Sequence, residues 1–87
     1  MTREELIIKL NELSINPIDY SLDGELIPYT IVMNQTDHIY EVFYFNERGG
    51  KDGEKLFNSE GDAYVHVYEI FKRERELEKK FGMKTLR

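Results

Sequence analysis

Few side chains in this sequence stand at spacings that could do chemistry. The densest candidate is NERGGKDGEK at residues 46–55, where three glycines and six charged residues follow the aromatic run YEVFYF. Glycine amides beside a lysine can hold a phosphate, because amide dipoles and a helix N-terminus converge on the anion. The phosphate-binding arrangement orders Gly, four residues, Gly, Lys and then Ser or Thr, with a helix opening at the lysine. Here Gly53 precedes Glu54, and Glu47, Asp52 and Glu54 place carboxylates where a phosphate would have to approach. Leu56-Phe57 follows before any helical pattern begins, so residues 46–55 are expected to be a hairpin loop between two strands.

Other chemistry finds no better foothold. His38 and His66 each lack a second histidine at metal-ligand spacing, so no metal site is expected. Carboxylates are abundant, but none pair in an apolar pocket that would drive two pKa values apart for general acid and base work. Ser14, Ser21 and Ser59 lack the strand-to-helix context of a nucleophile elbow, and Ser59 is better placed as a helix cap. With no cysteine, disulfides, thiolate metal sites and cysteine nucleophiles are excluded. Neither enzymatic activity nor a cofactor is expected.

Six tyrosines, at 20, 29, 40, 44, 64 and 68, could stack on bases, but that use needs lysine or arginine alongside. Between residues 10 and 47 there is neither, while Glu12, Asp19, Asp23, Glu25, Asp37, Glu41 and Glu47 are all acidic. The chain as a whole has 12 basic and 17 acidic side chains, a formal charge of −5, which repels a polyphosphate and favours a basic polypeptide. No nucleic-acid partner is expected. The start, MTREELIIKL, carries acids and no cleavage site after an apolar core, and the apolar runs are too short to span a bilayer. The expectation is a cytoplasmic protein with no membrane partner.

At 87 residues the chain fits one domain, 1–87, with a single modest core. Thr2 and Glu5 form a capping-box pattern ahead of Leu6, Ile7, Leu10 and Leu13, which predicts a helix over residues 3–14 ended by Pro17. A short extended segment over 18–22 meets Asp23-Gly24, a hairpin signal, and Pro28 suggests that the next strand, 27–33, lies at a sheet edge. After the turn NQTD, residues 38–45 are the strongest strand. Tyr40, Val42 and Tyr44 face one way, and Ile39, Glu41, Phe43 and Phe45 the other, which leaves aromatic area on a second face.

Leu56-Phe57 makes a last short strand. Ser59 then opens a helix whose buried stripe is Ala63, Val67, Ile70 and Phe71, and Gly82 ends it. Glu74 falls within that stripe, so the core is expected to stop near Phe71. Residues 72–87 form a charged helical extension carrying Leu77 and Phe81, with Glu69–Arg73 and Glu76–Lys80 as i,i+4 pairs. The fold class expected is α+β: helix, four strands in an antiparallel meander, and a long helix on the same face as the first. Parallel crossovers are not expected, because the connections are short.

Three segments in order, INPIDYSLDGE, YEVFYFNERG and KLFNSEGDAYVHVYEIF, resemble the pattern of small bacterial immunity proteins found beside polymorphic and contact-dependent toxins. The shared elements are a Tyr-Ser-Leu-Asp-Gly turn, an aromatic strand ending in Glu-Arg-Gly, and a Phe-x-Ser-Glu-x-x-Ala helix start. The resemblance covers residues 15–71 and departs from the pattern at Tyr40, where tryptophan is common, at Gly61, and in the longer charged end. It implies a stoichiometric inhibitor that binds a cognate toxin domain and blocks or distorts its active site.

The matching positions Tyr20, Asp23, Gly24, Glu47, Arg48, Gly49, Ser59, Glu60 and Ala63 suit turns, a cap and helix packing. Specificity among toxins is therefore expected on exposed acidic and aromatic side chains around the scaffold. The candidate partner-binding residues are Asp19, Tyr20, Asp23, Glu25, Glu41, Phe43 and Phe45. Against a basic nuclease, carboxylates such as Asp19, Asp23, Glu25 and Glu41 would stand in for substrate phosphates. The alternative is an assembly domain that dimerises through its second helix, so the chain is expected to be a monomer or a weak homodimer.

Overall fold

The computed structural model describes residues 1–82. The elements are α1 (Arg3–Glu12), a single 3₁₀ turn (Pro17–Asp19), β1 (Tyr20–Ser21), β2 (Thr30–Thr36), β3 (Ile39–Phe45), β4 (Lys51–Phe57) and α2 (Glu60–Phe81). The architecture is α+β, with a four-stranded sheet in the order β1-β2-β3-β4. Both helices lie on one side of it: Leu6, Leu10, Ala63, Tyr64, Val67 and Phe71 pack with Ile15 and with Ile31, Met33 and Val42 of the sheet. The part of the expected extension at residues 83–87 lies outside the described residues.

Helix ends form where local chemistry dictates. Thr2 accepts the Glu5 amide at 3.2 Å while Glu5 accepts the Thr2 amide at 3.2 Å, the reciprocal capping box. Ser59 caps α2 through the Asp62 amide, and Gly82, at φ +65°, closes it with its amide on the Glu78 carbonyl at 2.8 Å. The C-terminus of α1 is closed before Pro17 is reached. Ser14 turns left-handed at φ +60°, its amide donates to Asn11, and the Ile15 amide reaches back to Leu10 at 2.9 Å.

That closure leaves the carbonyls of Leu13 and Ser14 facing outward, and Arg75 of α2 takes both. Its Nε donates to Leu13 and its Nη2 to Ser14, each at 2.8 Å, while Nη1 binds Glu78 at 2.7 Å. A cation at a helix C-terminus also suits the helix dipole. The contact of α2 with the rest of the fold therefore does not stop at Phe71, as the position of Glu74 suggests; it runs one turn further.

The first strand pair differs from an antiparallel meander. β2, β3 and β4 are antiparallel neighbours, but β1 runs parallel to β2, with Tyr20 beside Ile31 and Ser21 beside Val32. Parallel pairing needs a crossover that carries the chain back along the strand. Because β1 is only two residues long, residues 22–29 have little distance to recover. Asp23-Gly24 turns that crossover and does not close a hairpin. Gly24, at φ +80°, lies against the Asn34 side chain, where a Cβ would collide with Oδ1. Pro28 falls in the crossover, and β2 is an interior strand; the edges are β1 and β4.

The glycine-rich stretch is a turn, but a shorter one than residues 46–55. Asn46 Oδ1 accepts the amides of Arg48 and Gly50 at 2.9 Å each, so the donors that could cradle an anion are already engaged. β4 begins at Lys51, because pairing with β3 extends the strand through residues of low strand propensity. A bulge at Gly53-Glu54, opposite Phe43, absorbs the mismatch.

Replacing Arg75 with alanine leaves two helix-end carbonyls without their donor, and is expected to lower stability by roughly 1–3 kcal/mol. Lys79→Ala on the same helix should change it by less than about 0.5 kcal/mol. Urea unfolding of the two variants checks this; equal midpoints would show that the Arg75 bridge contributes nothing.

Candidate protein-binding surface

Side chains of a strand alternate between faces, so the face of the sheet away from the helices is built by Val32, Ile39, Glu41, Phe43, Phe45, Lys51 and Leu56. No helix covers it. The crossover shields part: the Thr30 hydroxyl donates to the Ile27 carbonyl at 2.7 Å, and the Tyr29 amide donates to Phe45 at 2.8 Å. Beyond that cover Leu56 is 63% exposed and Ile39 37%. Leu26, Ile27 and Tyr29 on the crossover are exposed too.

Between these apolar side chains lies a charged cluster. Lys51 Nζ is 3.2 Å from Glu41, 4.0 Å from Glu54 and 4.8 Å from the centre of the Phe43 ring. Glu41 is held below the ordinary carboxylate range, first by its hydrogen bond with Glu54 and also by Lys51. The same contact pushes Glu54 upward. Sequence reasoning finds no such pair, because Glu54 reaches Glu41 only through the β3–β4 register and its bulge. The pair sits at the surface with Lys51 and not in an enclosed apolar pocket.

The seven candidate partner-binding residues do not share one face. Glu41, Phe43 and Phe45 lie on the uncovered face, but Phe43 is 1% exposed, sealed under Lys51 and edge-on to Phe45 at 6.5 Å between ring centres. Tyr20 belongs to the helix side, edge-on to Phe71 at 6.1 Å. Asp23 forms a two-pronged bridge to Arg3 at 2.7 and 3.1 Å, which holds its carboxyl below the usual range and ties the crossover to α1. Asp19 ends the 3₁₀ turn, and Glu25 is exposed on the crossover. Leu56, Ile39, Glu54 and Tyr29, which donates to Glu47 at 2.9 Å, are members that sequence reasoning missed. Ile39 carries a signal in the strand alternation; the others depend on pairing.

Among the described residues, open grooves remain on the helix side. One of about 270 Å³ lies around Arg3, Asp23, Asn34, Tyr40 and Tyr64. Two more, about 390 and 470 Å³, share Lys55, His66 and Ile70 between α2 and β4. The His66 ring lies 5.1 Å from Phe57, and burial, then Lys55, lowers its pKa while Glu69 opposes them. Among the described residues no group of three or more His, Asp or Glu is placed to hold a metal ion, and no helix is long and apolar enough to cross a membrane. Comparison with protein-family models, curated proteins and solved structures returned no match.

The His66 shift has a pH consequence. Its pKa is lower folded than the ordinary 6.5, so below that value the unfolded chain takes up the proton first. Stability from the neutral ring is complete above pH 6.5 and is lost as the pH falls through the folded pKa. Urea midpoints measured across this window should fall with acidification in the parent and fall less in His66→Gln. Identical slopes would contradict the assignment.

Proposed function

We propose that this chain is a non-catalytic protein-binding domain, an immunity-type inhibitor that neutralises a basic toxin domain in the cytoplasm by one-to-one binding. The observation that carries this reading is the uncovered sheet face, where exposed Leu56 and Ile39 stand beside the carboxylates of Glu41 and Glu54. Polypeptide interfaces combine apolar side chains with charge in this way: burial supplies lifetime, and complementary charge supplies encounter rate and choice of partner. The net charge of −5 favours a basic partner.

The ordered resemblance to small immunity proteins supports the same class. Its matching residues now have structural roles that leave the sheet face free to vary: Asp23 and Gly24 turn the crossover, and Ser59 caps α2. If the toxin is a nuclease, Glu41 and Glu54 would occupy positions that substrate phosphates take, and bound protein would close the active site. No proton transfer or bond cleavage by this chain is needed.

Co-expression with a toxin encoded by an adjacent gene should restore growth of the host cell. With the purified pair, Glu41→Lys/Glu54→Lys should slow association at low salt by about tenfold or more, and the difference should shrink as salt rises. Unchanged association at low salt would remove these carboxylates from the interface, and failure to restore growth would overturn the immunity reading.

A further inference from the structure

α2 carries more exposed apolar surface than a helix resting on one sheet requires. Leu77 is 39% and Phe81 60% exposed, and Ile70 is half-buried. At about 100° per residue, His66, Ile70, Arg73, Leu77 and Phe81 fall within roughly 80° of arc, so they form a stripe along one flank of the helix. The core residues Val67 and Phe71 turn toward the sheet, and Tyr68 and Arg75 turn toward α1, where Lys9 lies 5.4 Å from the Tyr68 ring and Leu13 receives Arg75. The stripe faces the opposite way, over β4, where His66 meets Phe57 and shares a groove with Lys55.

The order of residues along this stripe is complementary to itself. When the stripe is turned end for end about a point between Arg73 and Glu74, Ile70 falls opposite Leu77, His66 opposite Phe81, and Arg73 opposite Glu74, which borders the stripe on its sheet side. Two copies would thus match apolar with apolar, ring with ring, and positive with negative, each contact occurring twice, which is what a twofold interface requires. A parallel, in-register pairing would set Arg73 against Arg73 and Glu74 against Glu74.

We infer that a second copy of this chain covers the stripe, α2 against α2 in antiparallel orientation, with the twofold axis at residues 73–74. The interface is separate from the proposed toxin-binding face, since α2 and the uncovered sheet face lie on opposite sides of the sheet. A dimer formed this way presents two such faces, and it stands or falls independently of what they bind.

Sedimentation velocity of the purified chain should show a species of twice 10.4 kDa that grows with concentration. Leu77→Glu and Phe81→Glu should each return the mass to 10.4 kDa at matched concentration, while thermal melts at a dilution where the parent is itself monomeric stay close to the parent, because both side chains are already exposed in the single chain. Leu56→Glu, on the uncovered face, should leave the dimer intact. The chain has no cysteine, so orientation can be read by cross-linking: Arg73→Cys, beside the axis, should oxidise to a covalent dimer, and Lys80→Cys, far from its mate, should not. A mass of 10.4 kDa at every concentration up to about 1 mM, a dimer indifferent to Leu77→Glu and Phe81→Glu, a dimer lost in Leu56→Glu, or equal cross-linking at the two positions would each overturn the inference.

Discussion

A sheet has two faces, and here both helices lie on one of them. The consequences of that asymmetry run through the whole molecule. On the helix side Ile31, Met33 and Val42 meet two amphipathic helices and disappear from water. On the other side Val32, Thr30 and Phe43 are equally buried with no helix to bury them. The crossover between β1 and β2 and the long side chain of Lys51 supply that cover, which reaches only part of the face. Ile39 and Leu56 lie beyond it. The crossover ends in a local turn, the Thr30 hydroxyl on the Ile27 carbonyl, and the Tyr29 amide then continues the pairing with β3 at Phe45.

The helix layer is held as one unit by an interaction of a different kind. Arg75 joins the end of α1 to the second half of α2 through two carbonyl oxygens, so the two helices cannot shift along each other without losing both bonds. Asp23 and Arg3 do the same for the crossover and α1. These two arginine contacts tie the cover of one face to the cover of the other. Past Arg75 the helix continues with Leu77 and Phe81 exposed.

What the sequence made legible were the features decided within a few residues. The capping box of α1, the Ser59 cap, the Gly82 stop and the alternation of β3 all follow from neighbouring side chains, and each stands close to where the spacing places it. The buried stripe of α2 was legible through its period at Ala63, Val67 and Phe71, although Ile70, expected within it, is only half-buried, and Tyr64, almost fully buried, does not stand out among the other tyrosines. What was not legible depends on partners distant in sequence. The direction of β1 rests on where residues 22–29 can lie. The start of β4 at Lys51 rests on pairing with β3 overriding a glycine-rich, charged stretch. The Glu41–Lys51–Glu54 cluster needs the register and its bulge, and Arg75 meets carbonyls some sixty residues earlier in the chain. Phe43 was plausible as a recognition residue by type, and burial withdraws it from the surface, while half-buried Tyr20 packs on Phe71 on the helix side.

Under the proposed function, the partially covered sheet face, with exposed Leu56 and Ile39 beside the Glu41–Lys51–Glu54 cluster, is the surface that a partner polypeptide would bury. Hydrogen exchange of the chain, alone and saturated with the proposed toxin partner, tests this most directly, because it reports the buried face without altering any side chain. The account predicts new protection in residues 39–45 and 51–57, with little change along α2. Protection confined to α2 and α1, with the strands unchanged, would contradict it.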